Sequence, residues 1–181
     1  MASAAIYAIS TVSGNQPRMV QISEDAGQTF LFGTPVQINS GNGAITAWDG
    51  TTIPAIVGIV RTNGQNLASA GVSNPLHYGS VPNQSSAVNI PVGQPLAYPR
   101  CIVETANEDS VFFGQVGPAQ TTAATDVGKS YGMTKDTDNH WFVDKTKTGA
   151  SSVVRVVALD QFDTTRGVWF VFIPADVILI A

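Results

Sequence analysis

The sequence predicts an all-β protein, a small antiparallel β-barrel or sandwich with an extended N-terminal arm and a long irregular loop. Short runs rich in Val, Phe, Trp and Tyr alternate with clusters of Asp, Asn, Thr and Gly. β-Branched and aromatic side chains suit a pleated sheet, whereas Asp, Asn and Gly accept the backbone angles of turns. The length of 181 residues suffices for one domain, which buries about 70% of the surface of the extended chain.

The alternation of strand-like runs and turn-like clusters is clearest between residues 128 and 172. Polar breaks there separate four apolar runs, at residues 128–134, 140–144, 153–159 and 167–172. Four strands joined by short turns are typical of an antiparallel meander. We therefore expect a meander at the centre of the fold. The preceding segments either join its sheet or extend away from it.

Residues 1–33 are interpreted as the N-terminal arm, partly packed on the domain and partly available to a neighbouring subunit. Residues 19–23 alternate between apolar and polar side chains, as an edge strand does. An ordinary first hairpin is the alternative for this region. The candidate partner contacts in the arm are Ile6, Tyr7, Met19 and Ile22.

Residues 34–175 are expected to form the β-domain. Residues 34–38 and 44–48 alternate on either side of a glycine-containing turn, which predicts a hairpin. Residues 55–60 are almost continuously apolar, as expected of a strand buried on both faces. Further strands are predicted at 101–104 and 111–116.

A loop excursion at residues 62–90 interrupts this domain. It is rich in Ser, Asn, Gly and Gln, and irregular loops of this length inside a compact domain are usually functional or disordered. We expect it to pack on a partner, with a floppy surface loop as the alternative. Its few anchoring side chains are Leu67, Leu76, His77 and Tyr78.

Residues 176–181 form an apolar C-terminal tail. Each large apolar side chain there gains on the order of 1.5–3 kcal/mol on burial, so the tail is expected to find a partner. That partner is either the protein's own sheet or a neighbouring subunit. The residues concerned are Val177, Ile178, Leu179 and Ile180.

Charge and cysteine content argue against several classes of function. Charged residues are only 12% of the chain, and the net charge is -4. No stretch is rich in Lys and Arg, so neither a nucleic acid nor a membrane surface is expected as a partner. Cys101 is the only cysteine, which excludes an intrachain disulfide. With no recognisable signal peptide, we expect synthesis in a reducing cytoplasm.

Two stretches resemble ligand-binding loops, but each lacks a residue that the motif requires. Gly128-Lys129-Ser130 resembles a phosphate-binding loop, but Ala123 stands where its first glycine is needed. The run 136–139 resembles the start of a calcium loop, but Trp141 stands at the sixth position, where glycine is required. A hairpin turn is the better interpretation of 136–139. We expect no metal and no cofactor.

The sequence also predicts that the protein is not an enzyme. Cys101, His140 and Asp144 supply the residue types of a nucleophilic site, but nothing flanking Cys101 would activate its thiol. A small hydrolase that uses Cys101 or a serine remains the least favoured alternative. The three tryptophans, Trp48, Trp141 and Trp169, could serve as exposed stacking platforms, but alternation places them in the core.

Several segments resemble the head decoration, or capsid cement, proteins of tailed bacteriophages. The resemblance covers roughly residues 30–175 and has no catalytic signature. Its strongest part runs from Val116-Gly117-Pro118-Ala119-Gln120 through Asp126-Val127-Gly128-Lys129-Ser130-Tyr131-Gly132 and His140-Trp141-Phe142-Val143-Asp144-Lys145 to Arg166-Gly167-Val168. Earlier parts are residues 33–36, 47–52, 56–59 and 78–84.

The resemblance implies a structural virion protein on the outer surface of the capsid. Such a protein binds the major capsid protein, often as a homotrimer, and stabilises the capsid lattice. The scarcity of charge is consistent with this role, because interface cores are depleted in charged residues. The alternative is another phage structural β-module, a tail-tube subunit or an adhesin that binds glycans.

Overall fold

The computed structural model describes residues 6–14, 16–25, 28, 30–41, 43–51, 56–61, 100–107 and 109–174. Within these residues the fold is all-β, as predicted, and forms two antiparallel sheets. The strands are β1 (Tyr7–Thr11), β2 (Met19–Ser23), β3 (Pro35–Ile38), β4 (Ile45–Ala47), β5 (Ile56–Val60), β6 (Arg100–Thr105), β7 (Ser110–Gln115), β8 (Ser130–Lys135), β9 (Trp141–Asp144), β10 (Val154–Leu159) and β11 (Gly167–Phe172).

The six-stranded sheet has the order β1-β7-β11-β10-β8-β9. The four predicted C-terminal strands all form, as two hairpins, but they do not form a simple meander, because β10 pairs with β8 rather than β9. The connection after β9 crosses β8, where the Gly132 N–H donates to the Lys147 carbonyl at 2.7 Å. A Cβ at Gly132 would lie 2.6 Å from the Ser151 oxygen, so this crossing requires glycine.

The five-stranded sheet has the order β2-β6-β5-β3-β4. β1 and β2 therefore lie in different sheets, as edge strands paired with β7 and β6. The alternative of an ordinary first hairpin does not form between β1 and β2, which pair with β7 and β6 instead. They join the protein's own sheets because their backbone groups gain partners there.

β5 lies between the two hydrophobic cores. Its five residues are all buried, which confirms the prediction of a strand covered on both faces. Val57 and Val60 pack in the core of the five-stranded sheet, whereas Ile56 and Ile59 pack in the core of the six-stranded sheet. The apolar run is continuous because each face of the strand belongs to a different core.

In each sheet a parallel bridge joins two strands that are not neighbours in the strand order. In the five-stranded sheet, Glu24 and Ile45 form a parallel bridge, and the Asp25 N–H donates to the Ile45 carbonyl at 2.9 Å. In the six-stranded sheet, Val116 and Val143 form a parallel bridge, and the Gly117 N–H donates to the Val143 carbonyl at 3.1 Å. The fold thus agrees with the predicted all-β barrel or sandwich.

The two sheets repeat one topology. β2–β6 and β7–β11 are each arranged in the order first, fifth, fourth, second, third strand. The corresponding strands also pair antiparallel in both halves, β3 with β5 and β8 with β10. We call β2–β6 the N-terminal half and β7–β11 the C-terminal half. β1 is an additional strand on the C-terminal half.

Candidate docking surface

Three aromatic residues form a row on the outer face of the six-stranded sheet. The register places Phe113 of β7 opposite both Tyr7 of β1 and Trp169 of β11. The Tyr7 and Phe113 ring centroids are 5.4 Å apart. All three residues are half-buried, because the alternating neighbours Phe112, Val168 and Phe170 fill the core on the other face.

The loop between β10 and β11 forms the rim of this row. Phe162 projects from its tip and is 89% exposed. Asp160 holds the loop in place, because its Oδ2 accepts hydrogen bonds from the N–H groups of Phe162 at 3.1 Å and Asp163 at 2.6 Å. Its Oδ1 accepts one from Trp169 Nε1 at 3.1 Å. The carboxylate thus fixes both the loop and the indole ring.

Asp163 adds a second carboxylate to the rim. Its Oδ2 accepts a hydrogen bond from Gln115 Nε2 at 2.7 Å, and its Oδ1 accepts one from the Arg166 N–H at 3.0 Å. Burial acts to raise the pKa of Asp163, but these hydrogen bonds outweigh it and hold the pKa below the usual value. Asp163 is therefore ionised at neutral pH.

Together these residues enclose an open groove of about 440 Å³. Its walls are aromatic, and its polar groups are two carboxylates and one amide. Pockets of this composition, apolar with a few fixed polar groups, are typical of binding sites. The lining residues are Tyr7, Phe113, Gln115, Asp160, Phe162, Asp163 and Trp169. We call this feature the aromatic groove.

Only Tyr7 of these residues was among the predicted partner contacts. The expectation that Trp169 lies in the core is wrong, since its ring lies on the outer face, whereas Trp48 and Trp141 are buried as expected. Residues 167–172 are apolar on both faces of their strand, so alternation could not assign the outer side. The exposure of Phe162 has no sequence signal beyond its position between two strands.

The other predicted contacts in the N-terminal region differ in exposure. Ile6 is 1% exposed and packs in the core of the six-stranded sheet, so its side chain does not face a neighbour as expected. Met19 is 58% exposed on edge strand β2, and Ile22 packs partly against the core of the five-stranded sheet. The contacts predicted at Leu67, Leu76, His77, Tyr78, Val177, Ile178, Leu179 and Ile180 lie outside the described residues.

Residues 136–139 lie in the turn between β8 and β9, as predicted. Asp136 Oδ1 accepts hydrogen bonds from the N–H groups of Asp138 and His140, both at 2.9 Å. Burial acts to raise the pKa of Asp136, but hydrogen bonds, chiefly that from the His140 N–H, outweigh it and lower the pKa. Ligand atoms of Asp136, Asp138 and His140 lie within 4.8 Å of one another. The carboxylate nevertheless serves the turn itself.

Cys101, His140 and Asp144, the residues of the nucleophilic site considered above, each interact with a different partner. Cys101 is fully buried, and its thiol donates to Glu24 Oε2 at 3.0 Å. His140 is paired with Asp136, and Asp144 accepts from Thr146 and Gln120. The structure does not unite Cys101, His140 and Asp144.

In the part of the chain that the structure describes, no helix has the length and apolar character needed to cross a membrane. Comparisons of this chain with protein-family models, with curated proteins and with solved structures gave no match.

Proposed function

We propose that the protein is a structural virion component, a decoration protein that binds the outer surface of a phage capsid. In this role it stabilises the major capsid protein lattice as an oligomer, such as a homotrimer. The observation that carries the proposal is the aromatic groove, a preformed surface feature on a chain with only 12% charged residues. The family resemblance of the sequence supports the same role.

The composition of the groove suits a protein interface. Tyr, Trp and Phe are enriched in interface cores, and charged residues are depleted there. Tyr7, Phe113 and Trp169 are held by strands, so little conformational entropy is lost when a partner covers them. Phe162 is 89% exposed, and a large apolar side chain in that position gains most from a partner's surface.

An adhesin-like module is the second candidate function. A row of half-buried rings on the outer face of the six-stranded sheet also suits stacking against sugar rings. A tail-tube subunit, by contrast, would polymerise on its own. Electron microscopy of the purified protein separates tubes from discrete oligomers, and a glycan-binding screen tests the adhesin.

The capsid proposal is tested by mixing the purified protein with expanded capsids of its phage that lack it. We expect an oligomer by light scattering and saturable co-sedimentation with the capsids. Phe162→Ala, in the groove, should weaken co-sedimentation, whereas Val127→Ala, at an apolar residue elsewhere that is 47% exposed, should not. A monomer that ignores its capsid at micromolar concentration would exclude the proposal.

A further inference from the structure

We propose that the aromatic groove accepts an arginine side chain of a partner protein, with its guanidinium against the rings and beside the carboxylate of Asp163. This inference deepens the proposed function, on which it rests for the identity of the partner. It assigns the chemistry of one contact that the partner must supply.

The rings of the groove can attract a cation. The faces of aromatic rings carry negative potential, and a cation within about 6 Å of a ring centre is attracted to it. The rings of Tyr7, Phe113 and Trp169 line the groove in a row across the sheet, and Phe162 lines it from the β10–β11 loop. Several aromatic rings that line one open space are a surface that suits an organic cation.

The carboxylates of the groove can also attract a cation. Asp160 and Asp163 accept hydrogen bonds only from uncharged donors, and neither forms an ion pair with a Lys or Arg of the described residues. The nearby guanidinium of Arg166 is directed elsewhere. It donates to the Val116 carbonyl at 2.8 and 3.1 Å and lies 5.5 Å from the Phe142 ring centre. Arg166 still attracts Asp163 through its charge, but its guanidinium donors are used at Val116, so the structure shows no ion pair of Asp160 or Asp163 with a Lys or Arg of the described residues.

Arginine fits this combination better than lysine or a neutral sugar. The guanidinium is planar, stacks on aromatic faces and is weakly hydrated, so it is transferred from water at lower cost than an ammonium group. It also donates in a fork that matches a carboxylate. A neutral sugar could stack on the rings but would gain no electrostatic attraction from the carboxylate of Asp163. A protein of net charge -4 further favours a cationic partner.

The test uses an acetylated, amidated peptide Gly-Arg-Gly-Arg-Gly and its citrulline analogue, which has the same shape without charge. Each is titrated into the full-length protein while the indole N–H resonance of Trp169 is followed by NMR. That resonance is assigned by its loss in Trp169→Phe. We expect this resonance to shift with the arginine peptide and to shift at least threefold less with the citrulline peptide. We also expect the affinity for the arginine peptide to fall in high salt.

Two variants locate the binding. Asp163→Asn removes the charge with little change in shape, and Phe162→Ala removes an exposed ring, so each should weaken arginine binding about threefold or more. Asp138→Asn, which removes an exposed carboxylate at the β8–β9 turn, is the matched control and should leave binding unchanged. An unchanged affinity in both groove variants overturns the inference.

Other outcomes also decide against it. Equal shifts with the citrulline peptide, or a shift with neutral oligosaccharides but none with the arginine peptide, overturn the inference. Failure of the inference can be told from failure of the proposed function. If the protein co-sediments with capsids but does not bind the arginine peptide, only the arginine proposal is excluded. If it binds the arginine peptide but does not co-sediment with capsids, only the capsid role is excluded.

Discussion

Glu104 is a buried carboxylate that connects the two sheets. It lies in β6 and is 4% exposed. The N–H of Ala8, in β1 of the other sheet, donates to its Oε2 at 2.5 Å, and Arg61 Nε lies 3.4 Å from its Oε1. Burial raises the pKa of Glu104, and this effect outweighs the Ala8 hydrogen bond and the attraction of Arg61.

This arrangement predicts how Glu104→Gln depends on pH. Because the pKa is raised in the folded state, the stability that protonated Glu104 contributes is fully present below its ordinary value of 4.5. It is lost as pH rises through the folded value. Gln keeps an acceptor for Ala8 and does not titrate, so the variant should gain stability relative to the wild type between pH 4.5 and neutrality. Urea unfolding across this range measures the difference, and a difference that falls with pH would contradict us.

Asp126 is a buried carboxylate whose hydrogen bonds outweigh the effect of burial on its pKa, the opposite of Glu104. Burial acts to raise its pKa, but hydrogen bonds from Lys145, Tyr131 and the Ala123 N–H outweigh it and lower the pKa. Lys145 Nζ and the Tyr131 hydroxyl each lie 2.7 Å from the carboxylate. The burial of Tyr131 and its bond to Asp126 raise the pKa of that hydroxyl to about 12. These contacts fix the connection that leads into β8.

We predict that Asp126→Asn lowers the free energy of unfolding by about 1–3 kcal/mol at pH 7, because buried donors lose a charged acceptor. The lowered pKa means that this stability is present above pH 3.8 and is lost as pH falls through the folded value. The deficit of the variant should therefore shrink in acid. Tyr131→Phe, which removes one donor, should cost about 1 kcal/mol. A deficit that grows in acid would disprove the assignment.

At the scale of elements, Gly58 determines how closely β5 and β6 approach. A Cβ at this position would overlap the Glu104 carbonyl oxygen and lie 2.7 Å from Val103 Cγ1. The absence of a side chain at Gly58 thus allows β6 to pack closely against β5, the strand that both cores share. The conflict would involve backbone, which cannot move aside as a flexible side chain can.

We therefore predict that Gly58→Ala costs about 3 kcal/mol, at the upper end of what overpacking costs. Gly149→Ala provides the comparison. Gly149 has a φ of 65°, and a Cβ there meets nothing within 4 Å, so only backbone strain of about 1 kcal/mol opposes the change. Chemical denaturation of both variants measures the two losses. Equal losses would show that β6 can shift to accept the methyl group.

The positions of the strands could be predicted from the sequence better than their order. Alternation and turn residues mark β3, β4 and the four C-terminal strands, because these signals are local. The pairing of β10 with β8 depends on a close crossing at Gly132, and a lone glycine does not reveal what passes beside it. The repeated topology was equally hidden, because the second residues of β3 and β8, Val36 and Tyr131, are both buried but differ in residue type.

The aromatic groove was hidden for a similar reason. Its residues come from β1, β7, β11 and the loop before β11, which are distant in sequence. Tyr7 alone was identified, as a candidate contact in an assumed arm. Since Phe113 and Trp169 stand in runs that are apolar on both faces, only the pairing of the strands shows that they share one surface.

At the scale of the whole molecule, the two halves are joined by a shared core rather than by a linker alone. Trp48 follows β4 of the N-terminal half, and its N–H donates to the Pro35 carbonyl at 2.9 Å. Its ring nevertheless packs in the core of the six-stranded sheet and stacks on Trp141, with the ring centroids 5.2 Å apart. Ile56 and Ile59 cross the same boundary.

We predict that Trp48→Ala lowers the free energy of unfolding by about 3–5 kcal/mol and separates the unfolding of the two halves. Removing the ring opens a cavity at the boundary, so each half loses the contact through which it stabilises the other. Ile45→Ala is the matched control, since Ile45 lies in β4, just before Trp48, but packs in the core of the five-stranded sheet. It should cost about 2–5 kcal/mol within a single transition. Calorimetry distinguishes the two, with tryptophan fluorescence as a second probe, which in Trp48→Ala comes from Trp141 and Trp169 of the C-terminal half alone. One cooperative transition for Trp48→Ala, coincident by both probes, would mean that the remaining boundary contacts suffice to couple the halves.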